Sequence, residues 1–131
     1  MANVTAINSG DLYQTTITTP VHTIISDEPA EIGGKDTGVS PDELLASALA
    51  ACTTITLRMY VRHKGWAVGE IQVKVQLIKD QESGATTFQR DVHLEGHFDE
   101  EQRKRLLAVA NACPIHKTLS GPIDIQTVLI P

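Results

Sequence analysis

The most regular pattern in the chain lies at residues 70–79, where apolar side chains at positions 71, 73, 75 and 77 alternate with polar ones. Because an alternation with a period of two is typical of a strand that buries one face, the pattern predicts a strand here. Turn-forming residues at 81–84 join it to residues 86–98, a less regular run that is predicted as a second strand. Four further runs rich in β-branched residues are predicted as strands: residues 4–7, 13–19, 21–26 and 123–130.

A long helix is predicted over residues 41–64. Ser40, Pro41 and Glu43 match an N-cap serine, a proline in the first turn and a capping-box glutamate, and Gly65 marks the end. One face carries apolar residues at spacings of three and four, namely Leu45, Leu49, Cys52, Ile55 and Met59. The first half of the helix is apolar nearly all round, which a single small subunit can hardly cover. We therefore expect a homodimer in which a second copy covers this helix.

Two shorter helices are predicted in the last third of the chain. Asp99 and Gln102 form a capping-box pair at the start of the first, which runs to about residue 112. The second is a short helical turn that begins at Cys113 and Pro114 and ends near residues 120–122. The order βββ-α-ββ-α-α-β predicts an α+β fold, and the length fits a single domain over residues 1–131. Residues 27–40 are predicted as a polar loop of the length that functional loops often have.

Composition and charge restrict the classes of function. Sixteen acidic against eleven basic residues give a formal net charge of −5, and only five residues are aromatic. Nucleic-acid binding is therefore not expected, since it needs clustered basic side chains and stacking aromatic rings. Because neither a run of about 20 apolar residues nor a signal-peptide pattern stands out, we expect a cytoplasmic protein that binds no membrane and keeps its thiols reduced.

The two cysteines are the candidate reactive groups. Cys113 lies at the predicted start of a short helix, where free backbone N–H groups favour the thiolate, and His116 is near enough to modulate it. A cysteine that merely caps this helix fits the same pattern equally well. Cys52 lies about three turns into the long helix, and its position alone is better explained by core packing. The five histidines and two cysteines show no metal-ligand spacing, so neither a metal nor another cofactor is expected.

Glu43 is a candidate partner for Cys52 by one route only. It lies nine residues earlier, about 13.5 Å along a straight helix and on the opposite side, so it cannot reach the Cys52 of its own chain. It could serve the Cys52 of a second subunit whose helix packs alongside. A capping-box carboxylate at the helix N-terminus is an equally good local explanation.

Three segments of the chain form a specific combination: SPDELLASALAAC at residues 40–52, LRMY and KGW within residues 57–66, and ACPIH at residues 112–116. Together with the order of the elements, they resemble the OsmC/Ohr family of bacterial organic-hydroperoxide reductases over nearly the whole chain. The LRMY and KGW elements are most similar to the broad OsmC-like branch rather than to a named peroxidase subgroup. The resemblance implies an intertwined homodimer, with long central helices enclosed by sheets from both chains and an active site at each subunit interface.

The resemblance also implies roles for three residues. Cys52 matches the peroxidatic thiol, which reacts with the hydroperoxide and becomes a sulfenic acid, and Cys113 matches the resolving thiol, which forms a disulfide with it. Glu43 matches the site carboxylate, and an external dithiol is expected to reduce the disulfide. The implied function is a thiol-dependent peroxidase that acts on organic hydroperoxides.

The chain departs from the peroxidase subgroups in the loop before the long helix. Those subgroups carry an arginine there, whereas the only basic residue within 27–40 is Lys35. Lysine lacks the planar fork with which arginine binds a carboxylate through two hydrogen bonds. Lys35, or Arg58 or Arg62 of the second chain, is then the candidate replacement. The alternative function is a non-peroxidase OsmC-like protein, either a thiol redox sensor or an apolar-ligand-binding protein.

Overall fold

The computed structural model describes all residues from Met1 to Pro131, and it divides into two compact units, Met1–Ala46 and Ser47–Pro131. The first unit contains an antiparallel sheet in the order β1-β2-β3, formed by β1 (Thr5–Ile7), β2 (Thr15–Thr18) and β3 (Thr23–Ser26). All three strands lie within the predicted runs but are shorter at their ends. A short 3-10 helix, Ala30–Ile32, interrupts the segment predicted as a loop.

The loop that follows β3 is fixed by one buried carboxylate. Asp27 is 3% exposed and accepts hydrogen bonds from the Thr37 hydroxyl at 2.6 Å, the Thr37 backbone N–H at 3.1 Å and the Glu28 backbone N–H at 2.7 Å. The Thr37 hydroxyl bond lowers the pKa of Asp27, and this bond together with the backbone N–H bonds outweighs the effect of burial. The segment is therefore an ordered loop at neutral pH.

Helix α1 (Pro41–Lys64) begins in the first unit and continues into the second, with the predicted bounds. Ser40 and Glu43 form the predicted reciprocal cap, and Gly65 ends the helix with a φ of +69°. The most apolar stretch of α1 is long enough to cross a membrane, so the expectation that no such run exists was wrong by length and composition. One such helix is weak evidence for a membrane span, because core helices of soluble proteins have the same length and composition.

The second unit contains the predicted hairpin of β4 (Ile71–Lys79) and β5 (Thr86–Leu94), an antiparallel pair in register from Ile71 opposite Leu94 to Lys79 opposite Thr86. Helices α2 (Glu100–Asn111) and α3 (Pro114–Ser120) follow. The Asp99–Gln102 capping box at the start of α2 is confirmed. The core of this unit lies between α1 and α2, where four buried side chains pack together: Leu57, Val61, Leu106 and Ala110.

Two of the predicted strands differ in the structure. β5 ends at Leu94 instead of residue 98, because Gly96 takes a φ of +155° and turns the chain away from β4. Residues 123–130 form no strand, so the final β element of the predicted order was wrong for the single chain. The apolar side chains of this segment are mostly exposed, at 98% for Leu129 and 83% for Ile125. A strand needs hydrogen bonds from a neighbouring strand, and no strand of this chain pairs with the segment.

Candidate active site

Helix α1 and the start of α3 bring the two cysteines together, although 61 positions separate them in the sequence. Cys52 is half-buried on α1, Cys113 is fully buried as the N-cap residue of α3, and both are free thiols. Two consecutive backbone N–H groups of α3 face the sulfurs: Ile115 donates to Cys52 Sγ at 3.5 Å, and His116 donates to Cys113 Sγ at 3.4 Å. The capping role predicted for Cys113 is thereby confirmed, and the pair forms one site.

A threonine next to Cys52 extends the site into the core. Thr53 is fully buried, and its hydroxyl donates to the Leu49 backbone carbonyl at 2.7 Å, one helical turn earlier. The same oxygen lies 3.6 Å from Cys113 Sγ. Cys52 and Thr53 are adjacent on α1, so this helix presents a sulfur and a hydroxyl to the N-terminal turn of α3.

Arg90 of β5 is the cation at the thiols, and the sequence analysis missed it. Its Nη1 donates to Thr53 Oγ1 at 2.9 Å and lies 3.9 Å from Cys113 Sγ. The strand places it there because Arg90 pairs with Val75 and shares the inward face of β5 with Phe88. The sequence contains a sign of this position. Arg90 lies on the same face of the predicted strand as the apolar residues Phe88, Val92 and Leu94.

The second terminal nitrogen of Arg90, Nη2, contacts two residues close to Cys113 in the chain. Nη2 donates to Asn111 Oδ1 at 2.9 Å, and it lies 2.9 Å from His116 Nδ1. Because a guanidinium nitrogen can only donate, Nδ1 of His116 must accept, and the imidazole is neutral with its proton on Nε2. One side chain thus connects α1, the end of α2 and the first turn of α3.

The surroundings of Cys113 favour its ionised form. Burial by itself raises the pKa of the Cys113 thiol, but the backbone N–H of His116, hydrogen bonds with the Thr53 hydroxyl and the Cys52 thiol, and the positive charge of Arg90 together lower it below the usual value. The arrangement therefore favours a thiolate at a position that solvent does not reach directly.

A cavity of about 580 Å³ opens beside this network within the second unit. Half of its lining residues are apolar, among them Leu49, Phe88, Leu107 and Leu119. The polar side chains among its lining residues include Arg90, Asn111 and His116. The cavity therefore combines a hydrocarbon surface with hydrogen-bonding groups that adjoin the thiols.

Two of the three predicted basic candidates have partners elsewhere in the chain, and the third is exposed. Lys35 forms an exposed ion pair with Asp11 at 2.6 Å, and this carboxylate raises the pKa of Lys35. The guanidinium of Arg58 donates to the backbone carbonyls of Val68, at 3.1 Å, and Gly69. Arg62 is exposed on the last turn of α1. The cation that the chain supplies to its own thiols is therefore none of the three predicted residues.

The third predicted site residue, Glu43, lies at the N-terminus of α1. Its Oε1 accepts from the Ser40 backbone N–H at 2.9 Å, and its own N–H donates to Ser40 Oγ at 3.2 Å. The local explanation, a capping-box carboxylate, is thus confirmed. A role for Glu43 at the thiols of a second subunit stays a prediction.

Comparison with known proteins adds a family and several structural relatives. Residues 34–128 match the family model described as OsmC-like protein. The chain is 30% identical over 103 residues, covering 75% of its length and 72% of the relative, to the organic hydroperoxide resistance protein-like 2 of Staphylococcus saprophyticus.

Solved structures are similar to nearly the whole chain, and two of them serve as examples. An OsmC-like protein from Mycoplasma pneumoniae superposes with a TM-score of 0.74 at 22% identity, over 92% of this chain and 88% of that one. The organic hydroperoxide resistance protein OhrB of Bacillus subtilis gives a TM-score of 0.62 at 27% identity, over 95% and 93% of the two chains. These similarities agree with the fold class that the sequence predicts.

Proposed function

As a member of the OsmC-like protein family, the chain comes from a group that includes organic hydroperoxide resistance proteins, and we propose that it is a thiol-dependent peroxidase that reduces organic hydroperoxides. The observation that carries the proposal is the pair of free thiols, each of which accepts a backbone N–H from the same turn of α3. Two thiols in contact can pass through a sulfenic acid to a disulfide and back, which is the chemistry of a two-cysteine peroxidase.

The proposed reaction uses the two cysteines in sequence. Cys52 gives up its proton and its sulfur attacks one oxygen of the hydroperoxide; an S–O bond forms, the O–O bond breaks, and the alkoxide takes up a proton to leave as the alcohol. The Cys113 thiolate then attacks the sulfenic sulfur of Cys52, an S–S bond forms, and the departing hydroxide takes a proton to leave as water. An external dithiol reduces this disulfide by exchange and restores both thiols. We assign the first attack to Cys52 because it is the less buried of the two sulfurs.

The cavity lined by Arg90 and His116, two residues that contact Cys113, supports an organic substrate. Its apolar walls remove hydrocarbon from water at roughly 25 cal/mol per Å² of surface buried, a contribution that hydrogen peroxide cannot obtain. His116, which carries its proton on Nε2 and lines the cavity, offers a hydrogen-bond donor to an oxygen of the substrate. An apolar hydroperoxide is therefore the substrate class that the cavity fits best.

The substrate preference can be measured directly. With an excess of dithiol, we expect kcat/KM for cumene hydroperoxide to exceed that for hydrogen peroxide by about tenfold or more, since even one buried methylene is worth 10-fold or more in a fitted pocket. Consumption of each peroxide is followed under the same conditions. Equal values would contradict the apolar substrate site. Negligible turnover of both by the folded protein would favour the alternative function, a thiol redox sensor or an apolar-ligand-binding protein.

We further propose that the working unit is a homodimer. Apolar side chains that the second unit leaves open include Ile55 and Met59 on α1, at 54% and 67% exposed, and Leu107 on α2, at 64%. Residues 123–130 carry five exposed apolar side chains and have no strand partner. A second copy would cover these surfaces, and it is the arrangement in which Glu43 could serve the Cys52 of the other chain.

The oligomeric state tests the homodimer. Light scattering coupled to gel filtration is expected to give twice the chain mass of 14.2 kDa. Met59→Glu places a charge on the open apolar face of α1 and is expected to shift the protein toward the monomer, because an unpaired buried charge is strongly unfavourable. Gln89→Glu, on the exposed side of β5, serves as the control and should leave the mass unchanged. A monomeric parent protein would contradict the proposal.

A further inference from the structure

The charge of Arg90 has no acidic partner in the chain. The oxygen and nitrogen acceptors of its hydrogen bonds are the neutral groups of Thr53, Asn111 and His116. A partly buried cation usually lies next to a negative charge, because taking an unpaired charge out of water is costly. Within the chain, a counterion for Arg90 therefore has to be sought among its neighbours.

One neighbour of Arg90 can become negative. Cys113 Sγ lies 3.9 Å from Nη1, and the other titratable groups at this position are His116, which is neutral in this hydrogen-bond pattern, and Cys52. Cys113 also accepts the His116 N–H, and its sulfur lies 3.6 Å from the Thr53 hydroxyl. Because Cys113 is fully buried, bulk water provides neither its solvation nor its counterion.

We propose that Arg90 is the counterion of a Cys113 thiolate, so that the resting site carries its negative charge on the second cysteine. This deepens the proposed peroxidase function by naming the positioning residue that prepares the resolving thiol. Disulfide formation requires a thiolate as the attacking group. With Arg90 in place, the nucleophile for the second step exists before Cys52 is oxidised, so Cys113 does not have to lose a proton after that oxidation.

The hydrogen bonds of Arg90 also fix the position of its positive charge. Asn111 and His116 hold the second arm of the guanidinium at 2.9 Å each, and the fork shape of arginine lets the first arm reach Thr53 and the sulfur. Lysine would keep the charge but could not bind both sides. The loop at residues 27–40 contains no arginine, but β5 supplies one, Arg90, which lies next to Cys113.

The ionisation of Cys113 in the resting protein tests the proposal without any peroxide. In a Cys52→Ser background a single thiol remains, and its thiolate is followed by ultraviolet absorbance against pH. We expect Arg90→Met to lower the ionisation equilibrium constant of the Cys113 thiol by about tenfold or more, since a cation this close favours the charged form by about that factor. Arg90→Lys should recover part of the loss, and Arg105→Met, on the exposed side of α2, should leave the titration unchanged.

Two results would overturn the proposal. The first is an unchanged titration of Cys113 in a folded Arg90→Met variant. The second is an ordinary thiol titration of Cys113 in the parent protein, a measurement that does not depend on whether the Arg90 variants fold. The peroxidase proposal is tested by a different measurement, the turnover of peroxide. A protein without turnover can still hold a Cys113 thiolate, and an active enzyme can lack one.

Discussion

Cys52→Ser is expected to abolish the dithiol-dependent consumption of organic hydroperoxide, lowering kcat by about three orders of magnitude or more. A serine hydroxyl is a far weaker nucleophile than a thiolate, and the loss of a covalent nucleophile has effects of this size in other enzymes. The fold should be retained, since serine differs from cysteine by one atom and the site is only half-buried. Turnover is measured with excess dithiol, and circular dichroism reports the fold.

Cys113→Ser separates the two steps and serves as the matched variant. It should lose multiple turnover as well, but it should still reduce about one equivalent of peroxide and accumulate a Cys52 sulfenic acid that a dione reagent traps. The Cys52→Ser protein should give no such adduct. Full activity in Cys52→Ser, or an adduct on Cys113 in place of Cys52, would contradict the assigned order of attack.

Leu57→Ala is expected to destabilise the protein by about 2–5 kcal/mol, a large share of the usual total for a domain. Leu57 is fully buried and packs with Val61, Leu106 and Ala110, so its truncation leaves a cavity between α1 and α2. Urea denaturation at one fixed protein concentration measures the change, because association contributes to the stability of an oligomer. The same helix carries Cys52 and Thr53, so activity should fall at temperatures below the unfolding midpoint of the parent.

The control for this core substitution is Leu57→Met. Methionine nearly conserves the volume of leucine, so a change below about 1.5 kcal/mol is expected. If Leu57→Ala were no more destabilising than Leu57→Met, the packing of α1 against α2 would not be the main source of stability in the second unit.

The features that sequence alone predicted are those determined by local interactions. Ser40 with Glu43 and Asp99 with Gln102 cap their helices through side chains three positions apart, and Gly65 ends α1 with a positive φ. Cys113 at the start of α3 belongs to the same class. In each case the interacting residues are close in sequence, so a short stretch of the chain contains all the residues that determine the feature.

The features that sequence missed depend on distant parts of the chain. Arg90 meets Cys113 only because β5 pairs with β4 in one register and α2 ends beside the strand, and neither fact is local. The strand over residues 123–130 was predicted from its β-branched composition, but composition cannot supply the neighbouring strand that a strand requires. Proximity in sequence instead points to cations near the long helix, where Arg58 binds backbone carbonyls.

The hydroxyl group of Thr53 carries a single hydrogen, and its O–H bond can rotate. It points to the Leu49 carbonyl at 2.7 Å, while Cys113 Sγ lies on another side of the same oxygen at 3.6 Å. Turning the O–H bond from the carbonyl to the sulfur moves a partial positive charge without displacing a heavy atom, and the helix still satisfies Leu49 through its backbone bond. In the proposed reaction, negative charge can thus form on the sulfur and disappear again with almost no reorganisation of the surrounding packing.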